Sequence, residues 1–364
     1  MSLKKIIMYI DMMGHGGAQR VMANLAEYFT RQGVRIVLVN DFELSKDEPQ
    51  YCLTLSIERK YLKNSIHGNP VKKNIERILL LRKLIKEENP DIVLSFLGRP
   101  NLRMLIATIG LKTKKVVSVR NDPNREYAPN GLKKKITQLL FRFADGCVFQ
   151  TAEAAEYFSN AVSSKSEIII NPVGDQFYNV SWRDDGKSII TVGRLEKQKN
   201  QRMLIEAFSR IASQFDDVNL YIYGTGSLKE ELDLQIKELG MEKRVFLAGD
   251  TNDVPSILST CMLFVLPSDF EGMPNTLLEA MAVGVPCIST DCPSGGPREI
   301  IQNGQNGFLV KCGDGTDLSK IMMNCLSDSD IRAGVGNNAK KTAERFRSSV
   351  VYGQWSEYLQ RIAK

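Results

Sequence analysis

The chain has 364 residues, 43% of them hydrophobic and 25% charged, with a formal net charge of +6. That length exceeds one ordinary core and suits two domains of about 150 to 200 residues, and neither a low-complexity tract nor a repeat takes the chain out of the globular class. No stretch approaches the roughly 20 apolar residues of a membrane span, and the apolar run 6–10 is too short for a signal-peptide core. The seven cysteines are scattered without a Cys-x-x-Cys pair, which suits free thiols in a reducing cytoplasm.

In chain order, apolar β-branched runs alternate with helical patterns. The first half places strands at 5–10, 35–40, 91–95, 115–119, 146–149 and 167–170, with helices at 18–31, 71–87 and 132–143 among them. A join follows at 171–174 and 180–187. The second half places strands at 188–192, 219–223, 245–248, 263–266 and 286–289, with helices at 201–214, 228–239, 254–259 and 275–283. The tail after about residue 328 is helical, and Tyr352, Trp355, Tyr358 and Leu359 make its last stretch amphipathic. Near-continuous apolar strands with crossover helices imply parallel sheets covered on both faces. The fold class expected is α/β, with two Rossmann-like doubly wound domains facing across a cleft. The boundaries expected are 1–172, 173–345 and a C-terminal helix, 346–364, crossing back to the first domain.

Charge divides unevenly between the halves. Residues 1–172 carry 27 Lys plus Arg against 17 Asp plus Glu, while the remainder has a net charge of −4. One half is therefore suited to a polyanion. Lys72, Lys73, Arg77, Arg82, Lys83 and Lys86 fall in one helical pattern, and Lys133, Lys134 and Lys135 precede Ile136, Leu139, Leu140 and Phe141. Such a surface suits docking on an anionic inner leaflet; plain solvated helix faces are the alternative. Nucleic acid is disfavoured, because no aromatic residues interleave the basic clusters and no nucleic-acid motif is present.

In open α/β sheets, ligands bind beyond the carboxyl ends of strands, so the loops there carry the chemistry. The first, 11–20, holds Gly14, Gly16 and Gly17 and opens a helix, where backbone can approach an anion. It is not G-x-G-x-x-G, which disfavours a nicotinamide enzyme. The second, 192–200, sets Arg194 and Lys199 on either side of a turn, where they can converge on a diphosphate and stabilise it as it departs. A solvated basic turn is the alternative. The third, 223–227, has two glycines and is weak alone. The fourth is Asp-Phe-Glu-Gly-Met-Pro-Asn-Thr, residues 269–276. Pro274 suits a first helical position, and the amides of Asn275, Thr276 and Leu277 form a phosphate cradle. Glu271 precedes the cradle and Glu279 lies within the helix, where each can accept hydrogen bonds from hydroxyls on either side of a diphosphate. A buried ion pair and a loop charge are the alternative for these two.

Together Glu271-x7-Glu279, Gly193-Arg194-Leu195 with Lys199-Asn200, and 16–20 (Gly-Gly-Ala-Gln-Arg) resemble glycosyltransferase family 4 along essentially the whole chain. The resemblance implies the GT-B fold and a retaining, nucleotide-sugar-dependent transferase. It implies that Glu271 meets the donor sugar, Glu279 the ribose, and Arg194 and Lys199 the diphosphate. Gly272, Met273, Pro274, Asn275, Thr276 and Leu277 would cap sugar and phosphates. Gly16, Gly17 and Gly193 would approach the diphosphate, and Gly249 the base. The acceptor side would include His15, Arg20, Arg99, Arg120 and Asn121. Arg120 stands where many members have His, and is read as a ligand for acceptor phosphate or for the surroundings of the reacting sugar.

Residues 118–123 and 291–299 resemble transferases of bacterial capsule, exopolysaccharide and glycan assembly. Those imply UDP-galactose, UDP-N-acetylgalactosamine or UDP-glucose as donor and a saccharide acceptor carried on undecaprenyl diphosphate. The only histidines are His15 and His67, and no Cys/His metal spacing exists. Asp328-Ser-Asp330 reads as a helix cap rather than a metal site. Transfer without metal or other cofactor is therefore expected, in the cytoplasm or at the inner face of the membrane. The alternatives are a GDP-mannose-type transferase, a GT-B enzyme of other chemistry, and a non-catalytic nucleotide-sugar or polyanion binder.

Overall fold

A computed structural model describes residues 3–14, 16–45, 51, 53, 57–62 and 69–364. The chain forms two compact units: Met1–Ile170 with Val351–Lys364, and Asn171–Val350.

The first unit has strands β1 (Lys5–Tyr9), β2 (Arg35–Asn40), β3 (Glu58–Tyr61), β4 (Ile92–Phe96), β5 (Lys114–Ser118), β6 (Gly146–Phe149) and β7 (Ser166–Ile168), ordered β3-β2-β1-β4-β5-β6-β7. Every pairing is parallel. The pleat sorts alternate residues to two faces. Ile6, Met8, Leu38 and Leu94 pack with helices Gly17–Arg31 and Ser348–Ala363. Ile7, Tyr9, Val37 and Val93 pack with helices Pro70–Glu88, Gly98–Ala107 and Gly131–Phe141. Each such side chain contributes about 1.5–3 kcal/mol when fully buried. Trp355 and Tyr358 on the last helix are sealed against this sheet, and the Tyr358 hydroxyl donates to the Lys165 carbonyl at 2.7 Å.

The second unit repeats the design with β8 (Ser188–Val192), β9 (Asn219–Tyr223), β10 (Val245–Gly249), β11 (Leu263–Leu266), β12 (Cys287–Asp291) and β13 (Phe308–Lys311), ordered β10-β9-β8-β11-β12-β13. All pairings are parallel here too. In both sheets the order reverses beside the first strand, at β1/β4 and β8/β11. That reversal opens a crevice at the carboxyl ends of the strands.

Several expectations are corrected. β3 (Glu-Arg-Lys-Tyr) carries no apolar run and β13 (Phe-Leu-Val-Lys) only a three-residue one, and neither was anticipated. Both are edge strands, which need less burial and tolerate charge. Glu58 in β3 pairs with Arg35 at 2.8 Å, and Lys60 pairs with Glu88. The helix expected over 201–214 stops at Ser209, and a 3₁₀ turn, Ala212–Gln214, follows. Pro274 is the cap of helix Asn275–Val283 rather than its first residue, with ψ 107° in the extended region. Asp328 does cap the next helix, accepting from the amides of Asp330 and Ile331. The cysteines among the described residues are free, and all but Cys312 are buried.

Candidate active site

In the second unit the turn after β8 and the loop after β11 are laced together. Lys199 Nζ donates to Glu271 Oε1 at 2.5 Å, and Ser268 Oγ donates to the same oxygen at 2.7 Å. Asn200 Nδ2 donates to Asp269 Oδ1 at 2.7 Å. Gln198 closes the lattice: its Nε2 donates to the Phe270 carbonyl at 2.9 Å, and its own carbonyl accepts from the Asp269 amide at 2.8 Å. Asn200 makes the bend possible by taking a left-handed conformation, φ 44°, which Asn tolerates better than most residues. Glu271 is 6% exposed, so its carboxylate is held by a cation and a hydroxyl instead of water. Arg194, by contrast, is exposed and has no carboxylate partner among the described residues. The turn thus presents one neutralised cation, Lys199, and two exposed cations, Arg194 and Lys197, with no carboxylate partner among the described residues.

The loop after β12 presses on the same place. A Cβ on Gly296 would stand 1.6 Å from the Gly272 carbonyl oxygen, and one on Gly224 would stand 2.1 Å from the Gly193 carbonyl oxygen. Only glycine lets these backbones meet. Ser294 and Gly295 both have φ 70°, a left-handed pair just before helix Gly296–Ile300. Asn171 pins the opposite side, donating from Nδ2 to the Met273 carbonyl at 3.0 Å and to Asn275 Oδ1 at 2.7 Å. Helix Asn275–Val283 therefore starts from a fixed loop, with Asn275 and Thr276 half-buried at its mouth and Glu279 buried at 3% exposure on its second turn. Gly249 ends β10 with φ 72°, and its carbonyl accepts from the Gly224 amide at 2.8 Å. The nearby Cys292 thiol is pushed up to about 12 by burial, with Glu271 adding to the effect, and is no nucleophile at neutral pH.

In the first unit Gly16 and Gly17 open helix Gly17–Arg31, and the Gln19 side chain folds over Gly16. Arg20 is half-buried, and its amide donates to the Gly16 carbonyl at 3.0 Å. His15 and His67 lie outside the described residues. Arg99 is exposed on helix Gly98–Ala107. Arg120 is buried, its guanidinium 4.1 Å over the Phe96 ring and 5.3 Å from that of Trp355. Burial lowers its pKa to about 9, against the pull of Glu126. Asn121 Oδ1 accepts from the Asp122 amide, and Asp122 caps the short helix Pro123–Glu126 through the Asn124 amide. Glu126 is pushed up to about 8, first by burial and then by Asp122, while Arg120 pulls the other way.

Sequence reasoning had passed over several of these residues. Gln198, Ser268, Asp269, Asn171 and Gly296 act by holding other loops, and no spacing pattern announces that role. Leu97, φ 75°, is a strained residue at the end of β4 that only the backbone reveals. The carboxylate of Asp41, after β2, accepts from the Tyr9 hydroxyl at 2.6 Å and pairs with Arg103 and Arg77 in a buried network. Among the described residues no group of three or more His, Cys, Asp or Glu could hold a metal ion.

Two family models match the chain: "Glycosyltransferase Family 4" over residues 15–176 and "Glycosyl transferases group 1" over residues 175–342. An N-acetylgalactosaminyltransferase of Campylobacter jejuni, named for its N-acetylgalactosamine-N,N'-diacetylbacillosaminyl-diphospho-undecaprenol acceptor, is 30% identical over 360 residues, covering 94% of this chain and 96% of its own. The lipopolysaccharide 1,6-galactosyltransferase of Salmonella typhimurium is 37% identical over 82% of this chain and 83% of its own. Among solved structures, Anabaena HepE in complex with UDP and glucose superposes with a TM-score of 0.82 at 20% identity, covering 98% of this chain and 99% of its own. Read with the two doubly wound sheets and the laced loops at their carboxyl ends, these likenesses place the chain among the family 4 glycosyltransferases, sugar-transferring enzymes of the GT-B fold.

Proposed function

We propose that the enzyme moves a hexose of the galactose, N-acetylgalactosamine or glucose type from a UDP-sugar to a saccharide carried on undecaprenyl diphosphate, in the assembly of a bacterial surface polysaccharide or glycan. The observation that carries this reading is the full-length likeness to a transferase named for a diphospho-undecaprenol acceptor. The UDP complex of a protein of the same fold supports the donor class.

The second unit is read as the donor side and the first as the acceptor side. Arg194 supplies an uncompensated charge for the diphosphate. Lys199 has three donors, so it can hold Glu271 and still reach a phosphate oxygen. The amides of Asn275, Thr276 and Leu277 complete the anion site, with Gly193, Gly272, Met273 and Pro274 forming its walls. Glu271 accepts from the sugar hydroxyls, Glu279 from the ribose, and Gly249 lies under the base. Gly16 and Gly17 approach the diphosphate from the first unit, with His15, Arg20, Arg99, Arg120 and Asn121 on the acceptor side. The acceptor hydroxyl attacks the anomeric carbon on the face the diphosphate leaves, so configuration is retained. Arg194, Lys199 and the helix amides carry the departing charge without a metal ion. The reaction takes place at the cytoplasmic face of the membrane.

The test is transfer from a panel of UDP-hexoses to an undecaprenyl-diphosphate saccharide in the presence of EDTA, with the product anomer read by NMR. An α-linked product from an α-donor, unaffected by EDTA, is expected. An inverted product or loss of activity in EDTA would overturn the mechanism. Turnover with GDP-mannose alone would overturn the donor.

A further inference from the structure

Fourteen large apolar side chains are exposed among the described residues, and nine of them lie in one helical layer of the first unit. On helix Pro70–Glu88, Val71, Ile75 and Leu79 repeat every four residues along one stripe, Val71 at 66% exposure. On helix Gly131–Phe141, Leu132, Ile136 and Leu139 form a second stripe, Leu132 at 73% exposure, and Phe143 extends it just beyond the helix. Between these two, Ile106 and Ile109 are exposed at the end of helix Gly98–Ala107. The inward sides of the same helices, through Leu81, Met104 and Phe141, already pack on the sheet. The outer stripes therefore contribute nothing to that core. Single exposed apolar residues are ordinary, but a clustered set marks an interaction surface.

Charge identifies the occupant. Of the six cations in helix Pro70–Glu88, Arg77 turns in to Asp41 at 3.3 Å. Arg82 ties the layer together by donating to the carbonyls of Ala107 and Ile109, each at 2.7 Å. Lys72, Lys83 and Lys86 remain exposed beside the apolar stripe, Lys83 in a solvent-exposed pair with Glu87 at 3.8 Å. Residues 131–143 contain Lys133, Lys134, Lys135 and Arg142 and no acidic residue. Apolar stripes flanked by lysines are what an interfacial helix presents to lipid headgroups and acyl chains. A second copy would set cationic helices against each other.

We propose that this helical layer lies on an anionic lipid leaflet, with the two apolar stripes entering the acyl boundary and the exposed lysines meeting lipid phosphates. The proposal rests on the reading of a membrane-borne acceptor and adds which face of the enzyme meets the membrane and by what contacts. Each lysine near an anionic surface adds an attraction that salt screens, while the apolar part resists salt.

The test is flotation of the full chain with vesicles of phosphatidylcholine plus phosphatidylglycerol, against phosphatidylcholine alone. Binding to the anionic vesicles is expected. The double substitution Ile136→Glu with Leu139→Glu should weaken it about tenfold or more while leaving the melting temperature and its rise with UDP unchanged. Lys133→Gln with Lys135→Gln should weaken it and flatten its salt dependence. Leu139→Trp should show a blue-shifted emission on vesicles, which a purely electrostatic contact does not produce. Absence of wild-type binding would overturn the proposal, as would full binding by the Glu variant. A dimer in solution that the Glu variant dissociates would assign the stripes to a second copy instead. Failure of vesicle binding with the UDP response intact would leave the donor reading standing.

Discussion

Lys199 and Glu271 are bound to each other before any ligand arrives, so removing either has two consequences. Lys199→Ala removes a cation from the proposed diphosphate site and leaves a carboxylate at 6% exposure with only Ser268 and a distant Gln198. A fall in kcat of about 10²-fold or more is expected, together with destabilisation of about 1–3 kcal/mol. Arg194→Ala, at an exposed position, should lower kcat with almost no change in melting temperature. Steady-state kinetics with thermal melts separate the two; an unchanged kcat in Lys199→Ala would remove its role on the leaving group.

Glu126 offers a test by pH. An ordinary glutamate ionises near 4.5, whereas burial and Asp122 hold this one near 8. The folded state therefore keeps the proton longer than the unfolded chain. The stability from this group is full below about 4.5 and is lost as pH rises through 8. Glu126→Gln should match the wild type at low pH and exceed it by about 1–2 kcal/mol near pH 8, the residue being half-buried rather than sealed. Denaturant melts across that range would show it, and parallel curves would refute the shift. The residues proposed to act on the donor, Glu271, Glu279, Arg194 and Lys199, stand out in the sequence because such chemistry would fix residue type and spacing there. The lacing by Gln198, Ser268 and Asn171 does not, since these contacts join loops up to 104 residues apart.

At the scale of elements, the central strands were legible because burial on both faces demands continuous apolar runs. The edge strand β3 was not, because an edge is free of that demand and its four residues are polar or charged but for Tyr61; β13 was not because its apolar run is only three residues long. Periodicity also showed that helix Gly131–Phe141 is amphipathic without showing that it is apolar on two sides, one packed and one exposed. Two substitutions probe the elements that hold the site. Trp355→Ala opens a cavity beneath Phe96 and Arg120 and should cost about 3–5 kcal/mol, visible in denaturant melts. Gly296→Ala drives a Cβ into the Gly272 backbone, so the loop must move. Weaker UDP binding, by about tenfold, is expected by calorimetry, with a smaller loss of stability.

For the whole molecule, two compact units, each with hydrophobic core clusters of its own, make a single two-state transition an unsafe assumption. If the second unit alone binds the nucleotide, UDP should raise one calorimetric transition and leave any other in place. The most direct measurement is the thermal shift with UDP, GDP and ADP in turn, without metal. A ligand at 100 times its dissociation constant adds about 2.7 kcal/mol, a shift of a few degrees for a chain of this size. A rise with UDP and none with the other two is the expected result. A rise with GDP in place of UDP, or with none of the three, would contradict a UDP-sugar site built on Arg194, Lys199 and the start of helix Asn275–Val283.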